Sequence, residues 1–204
     1  NYGGGMYNRG ENGSTSPILT NVVISGNTAN SGGGLANNGK LGSNLPILTN
    51  VVISGNKANI DGGGMRNVGS VSPIVTNSIF WNNDAPMDSI ISENSGSTTT
   101  ITYSIIQSGT LDIGTDTTGG TNKSGVDPLF VNAPAAGLST DGDFHVMPGS
   151  PAIDMGLNSA NTYPTDLDYN IRIQGASIDI GAYETDGPDC LAFMNQTTVY
   201  VDSS

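Results

Sequence analysis

The chain has 204 residues, 12% of them charged, and a formal net charge of −12. Its six Lys and Arg residues are scattered, which argues against nucleic acid as a partner. No apolar run reaches the roughly 18 residues of a spanning helix, so membrane insertion is not expected. Anionic polysaccharides and anionic membranes would be repelled unless a divalent cation bridged them.

Gly (29 residues), Asn, Ser and Thr make up the polar bulk, yet hydrophobic residues still reach 35%. Short Ile, Leu and Val runs between Gly, Asn, Ser and Pro clusters read as strands and turns rather than disorder. In chain order the first element is Gly3-Gly4-Gly5-Met6-Tyr7-Asn8, which recurs at Gly32–Asn37 and Gly62–Asn67. The second is Ser16-Pro17-Ile18-Leu19-Thr20-Asn21, which runs on into Val22-Val23-Ile24-Ser25-Gly26-Asn27. That block recurs over Leu45–Asn56 and Ser72–Asn83, with a degenerate fourth copy at Ile101–Gln107. Each copy holds three strand-like pieces, none able to bury its apolar side alone. Stacking them gives an all-β solenoid, a right-handed parallel β-helix with an irregular C-terminal cap. Leucine-rich repeats share the period, but their regular leucine framework is missing.

Three asparagine series keep phase with the repeat: Asn21, Asn50 and Asn77; Asn27, Asn56 and Asn83; Asn8, Asn37 and Asn67. Asn tolerates the left-handed backbone of sharp corners, and stacked amides can hydrogen-bond along a column. All three series are therefore expected to form ladders. Ile18, Val22 and Ile24 are expected to point inward, with Leu19 or Val23 at a corner.

The repeats dissolve after about Gly109. Residues 110–184 are expected to be the last coils and cap of the same helix, which would cover the unpaired strand edges at its end. Here the sequence reads Asp127-Pro128-Leu129-Phe130, then Pro148-Gly149-Ser150-Pro151-Ala152-Ile153-Asp154-Met155-Gly156. Asp166-Leu167-Asp168 with Arg172 follows, then Asp179-Ile180-Gly181-Ala182-Tyr183-Glu184. This ordered set resembles the choice-of-anchor Q class of bacterial surface proteins. The Gly-Gly-Gly-Met and Ser-Gly-Asn repeats resemble those of polymorphic outer-membrane-protein-type β-helices. The resemblance covers residues 1 to about 184. It implies a pectate-lyase-like right-handed β-helix in a large exported protein of Bacteroidota, an adhesin or a cargo of type IX secretion. The family's Gly-Asn-Pro turn is replaced by Tyr169-Asn170-Ile171.

Residues 185–204 read as a linker and the first strand of a following module, so the chain is expected to be part of a longer protein. Cys190 is the sole cysteine, which excludes a disulfide within the chain.

The fold hosts polysaccharide lyases and hydrolases as well as non-enzymes, so chemistry must come from side chains. Hydrolases of this kind need paired carboxylates. The repeat-region acids Glu11, Asp61, Asp84, Asp88 and Glu93 fall at unequal repeat positions and are expected to stay apart. Arg9 and Arg66 share a strand end, with no acid partner evident in the sequence. His145, the sole histidine, reads as a packed or surface residue rather than a catalyst. No catalytic residue is assigned. Asp141-Gly142-Asp143 and Asp166-Leu167-Asp168 resemble parts of calcium loops, although neither completes an EF-hand pattern. Turn capping, or pairing with Arg172, is the reading preferred for Asp141, Asp143, Asp166 and Asp168. No cofactor is expected, with Ca2+ at those carboxylates as the alternative. Asn12, Asn122 and Asn195 head sequons, and Ser89 and Thr117 lie in motifs resembling Bacteroidota O-glycosylation sites.

The expected function is a non-enzymatic module of a secreted or cell-surface protein, an adhesin or stalk that engages glycans or cell surfaces. The alternatives are a carbohydrate-active enzyme whose site lies elsewhere in the protein, and a passive cargo of secretion machinery.

Overall fold

A computed structural model describes residues 1–88, 90–94, 96–107, 121–137 and 141–185. Ser89, Thr117, Cys190 and Asn195 lie outside the described residues, as does the expected strand near residue 200. The described chain is all-β apart from one short 3-10 turn, Asn158–Ala160. Its parallel sheets stack as a β-solenoid, as the repeats require.

With strands numbered in chain order, one sheet stacks β1 (Met6–Thr15), β4 (Leu35–Asn44), β7 (Met65–Val71) and β10 (Ile91–Asn94). Its pairing is in repeat register: Met6 lies beside Leu35, Leu35 beside Met65, and Met65 beside Ile91. The second sheet holds the other two repeat pieces. β2 (Ile18–Ser25) and β5 (Ile47–Ser54) carry both pieces in one bent strand. The next coils divide them into β8 (Ile74–Thr76) and β9 (Ile79–Trp81), then β11 (Thr100–Thr102) and β12 (Ile105–Ile106), to which β13 (Lys123–Ser124) adds. A further face was not foreseen. β3 (Thr28–Ser31) pairs with β6 (Lys57–Asp61), and bridges from Lys57 to Asp84 and from Asp61 to Met87 carry it one coil on. Its segments are short and polar, so hydrophobic patterning leaves no trace of them.

The expected inward set was partly wrong. Leu19, Leu48 and Val75 form one interior column, and Ile24, Ile53, Phe80 and Ile106 another. Ile18 points outward and is 71% exposed, as are its stacked partners Ile47 and Ile74 to a lesser degree. The cause is the corner. Asn21, Asn50 and Asn77 have φ of 52, 56 and 51°. A left-handed residue breaks the two-residue alternation of a strand, so parity does not carry from Ile18 to Val22. Leu19 therefore faces in on one side of the corner, and Val22 and Ile24 on the other.

Val23, Val52, Ile79 and Ile105 face out of the solenoid. Residues 123–124 continue the stack as expected, but residues 126–137 and 141–185 cover this outer row instead of stacking on the end of the helix. Phe130, Phe144, Val146, Ala152, Ile180 and Ala182 form a second apolar cluster with it. β14 (Phe130–Asn132) and β15 (Asp143–Val146) make an antiparallel hairpin there, with the two Phe rings edge to face at 5.3 Å. Burying each such side chain contributes about 1.5–3 kcal/mol, so an apolar row on the flank selects a flank-bound segment. Gly181, at φ 114°, approaches the row closely: a Cβ there would lie 3.0 Å from Ile79.

Candidate functional site

The asparagine columns hold the scaffold. Asn50 donates to Asn21 and Asn77 to Asn50, each at 3.2 Å. The remaining capacity of these corner amides is turned outward. Asn21 donates to the Thr165 carbonyl, Asn50 to the Asn161 side chain, and Asn77 to the Leu157 carbonyl, while Leu157 N–H donates back to Asn77. Residues 157–165 therefore cross three successive coils. The second series is interior: Asn27 donates to Asn56 and Asn56 to Asn83, both at 3.0 Å, and Gln107 closes the column by accepting from Asn83 N–H. Here the left-handed residue is the one before each Asn, namely Gly26, Gly55 and Asn82. The third series sits within strands rather than at corners. Asn8 donates to Asn37 and Asn37 to Asn67, and Asn67 then donates to Glu93.

The repeat-region acids are dispersed, and both arginines have acid partners that sequence spacing did not reveal. Arg9 pairs with Glu11 at 3.0 Å and Arg66 with Asp61 at 2.9 Å. Lys57 pairs with Asp84 at 3.3 Å. Around Asp61, burial acts to raise the carboxyl pKa, but Ser31, Arg66 and Ser92 outweigh it and hold the group below its ordinary value. Arg66 also lies 5.5 Å over the ring of Tyr2, and that ring stacks on Tyr7 at 6.1 Å.

His145 is bracketed. Its Nδ1 lies 2.6 Å from Asp143 and its Nε2 2.7 Å from Asp168, and its ring tilts over Tyr183 at 4.1 Å. Neutral imidazole carries one N–H, whereas imidazolium donates from both nitrogens, so two flanking carboxylates select the charged ring. Burial acts to lower the His145 pKa, but Asp143 and Asp168 reverse this and hold it above its ordinary value. The hydrogen bond from His145 in turn holds Asp143 low. The four carboxylates singled out for Ca2+ do not share one shell. Asp143 and Asp168 face opposite ring nitrogens. Asp166 accepts backbone N–H groups from Asp168, Asn170 and Glu184. Asp141 is exposed, and its carbonyl accepts from Asn132.

The same segment holds a buried charge cluster, of which the sequence suggested only a pairing of Arg172 with Asp141, Asp143, Asp166 or Asp168. Arg172 is 0% exposed and donates to the carbonyls of Asp179 and Gly181, at 3.0 and 2.5 Å. Its Nη1 lies 3.6 Å from Glu184. Burial, then the nearby Asp179, pushes Glu184 up to about 8. Burial also pushes Asp179 up to about 6 and draws Arg172 down. The carboxylates are also backbone acceptors: Asp179 takes Asp154 and Thr185 N–H, and Glu184 takes Asp179 N–H. The cluster thus closes the 154–185 loops on themselves. In comparisons with family models, curated proteins and solved structures, the chain has no match.

Proposed function

We propose that the chain is a non-enzymatic module of a larger secreted or cell-surface protein, an adhesin or surface stalk that engages glycans or surfaces. The observation that supports this reading is the cross-bracing. Residues 157–165 are hydrogen-bonded to Asn77, Asn50 and Asn21 in turn, so three coils are tied by a segment running across them. A brace of this kind resists shear between coils, which is the load on a tethered surface protein. The ordered motifs resembling choice-of-anchor Q proteins point the same way. His145 suits a structural role better than proton transfer, because carboxylates engage both of its ring nitrogens. The test is a polysaccharide panel with the full-length protein. Binding without turnover is expected. Turnover abolished by one carboxylate substitution would overturn the reading.

A further inference from the structure

The apolar cluster on the flank accounts for one side of β15, and His145 stands on the other. Burial alternates along this strand: Phe144 and Val146 face the cluster, while Asp143 and His145 face away from it. We propose that His145 is a pH-operated clasp. As imidazolium it ties the β14–β15 hairpin to the 165–170 turn through Asp168, and on losing a proton it lets the hairpin open from the outer row of the solenoid. This goes beyond the surface-module reading and does not depend on it.

The two carboxylates differ in what they join. Asp143 lies on the same strand, and its contact with Nδ1 at 2.6 Å links nothing beyond β15. Asp168 belongs to the turn, and its contact with Nε2 at 2.7 Å spans two segments. The turn is anchored elsewhere. Asp166 accepts the N–H groups of Asp168, Asn170 and Glu184, Leu167 N–H donates to the Ala182 carbonyl, and Asn21 reaches Thr165. The hairpin is the weaker partner, because β14 and β15 have only three and four residues. An isolated two-stranded hairpin is marginally stable at best. Its Phe130, Phe144 and Val146 cover the outer row, so its opening uncovers Val52, Ile79 and Ile105.

The proton decides whether both contacts hold. Imidazolium donates from both nitrogens, whereas the neutral ring donates from one and presents a lone pair at the other. One carboxylate then loses its donor, and the ring carries no charge to hold either. The charged groups acting on His145 are Asp143 from its own strand and Asp168 from the turn. Tyr183, from the third segment packed there, offers its ring at 4.1 Å, and an aromatic face attracts a cation. Asp166 lies beyond, acting on Tyr183 and engaged by backbone N–H groups. β14 carries no charged residue. Burial alone opposes the cation, and His145 remains 38% exposed, within reach of solvent protons. The clasp is therefore closed below the ordinary histidine value of 6.5 and opens as pH rises through the higher folded value.

NMR of the whole chain from mild acid to mild alkali follows the His145 ring and amide hydrogen exchange together. Met147 N–H donates to the Leu129 carbonyl across the hairpin at 2.8 Å and reports its opening. Its exchange, corrected for the intrinsic effect of pH, should quicken about fivefold as the ring titrates, the scale of one exposed ion pair. Asp143→Asn should lower the ring's midpoint and move the exchange step with it. Asp168→Ala should hold exchange at the faster rate at every pH, and His145→Gln should leave it flat. The clasp is overturned if the wild-type ring titrates at or below 6.5 or if the wild type shows no exchange step. It is equally overturned if the step persists in Asp168→Ala or His145→Gln, which would assign it to Glu184 or Asp179 in the same loops.

Discussion

The interior amide column can be tested at its centre. Asn56 is buried. Its Nδ2 donates to Asn83 Oδ1 at 3.0 Å and to the Ile24 and Ser54 carbonyls at 2.9 and 3.2 Å. Its Oδ1 accepts from Asn27 N–H and Nδ2 at 3.1 and 3.0 Å. Two amide protons and two accepted bonds make about four effective hydrogen bonds, each contributing about 1 kcal/mol net. Asn56→Ala should therefore cost about 4 kcal/mol, and groups left unpaired in the interior keep the loss from relaxing away. Asn59 makes one exposed bond, to Asn30 at 3.1 Å. Asn59→Ala should cost no more than about 0.5 kcal/mol, as at other surface sites. Urea unfolding followed through Trp81 fluorescence measures both. A loss below about 1.5 kcal/mol for Asn56→Ala, or equal losses for the two, would refute the column as a source of stability.

Other outcomes follow from the flank. Arg172→Met removes the cation from a buried cluster with Glu184 and Asp179 and should cost about 3–5 kcal/mol. Adding Glu184→Gln should restore part of that in a double-mutant cycle; no restoration would mean the two are not coupled. Stability should also fall from mildly acidic to alkaline pH. Glu184, Asp179 and His145 all bind their protons more tightly in the folded state than at their ordinary values of 4.5, 3.8 and 6.5. Their contribution is full below those values and is lost as pH rises, through about 6 for Asp179 and about 8 for Glu184. Asp61 and Asp143 are shifted the other way, and their contribution is lost as pH falls below about 3.8. Melting temperatures across pH should thus peak near mild acidity, and Glu184→Gln should flatten the alkaline limb. Finally, Tyr169 is 87% exposed and sits at φ 68°, a left-handed conformation that costs a bulky residue about 1–2 kcal/mol. Tyr169→Gly should raise stability by about 0.5–1 kcal/mol once the extra chain entropy is offset. A lower melting temperature would show that the turn is not strained.

The Tyr169 turn also shows how sequence and structure divide the information. The backbone at Tyr169 is left-handed, a conformation that Gly adopts without strain. The turn persists with Tyr because the Asp166 carboxylate accepts the N–H groups of Asp168 and Asn170. The pairing of Arg66 with Asp61 was not recognised in the sequence, although both residues lie in the repeat region. Side chains in the Arg66 row differ from coil to coil, and only the register reveals that Tyr7, Ala36 and Arg66 are neighbours.

By itself the sequence determined the solenoid, its coil spacing and its amide columns. A stacked coil makes the same contact at the same repeat position, so steps of 29, 27 and 26 residues between like residues are already the register. Tertiary structure decided the rest. Adjacent apolar residues such as Val22 and Val23 carry the same local signal, and the left-handed Asn between strand pieces resets which of them faces in. Residues 126–137 and 141–185 show no repeat. Their place on the flank depends on contacts between unlike segments far apart in the chain, from Gly181 to Asn77 and from Leu157 to Asn77, and no local pattern encodes such contacts.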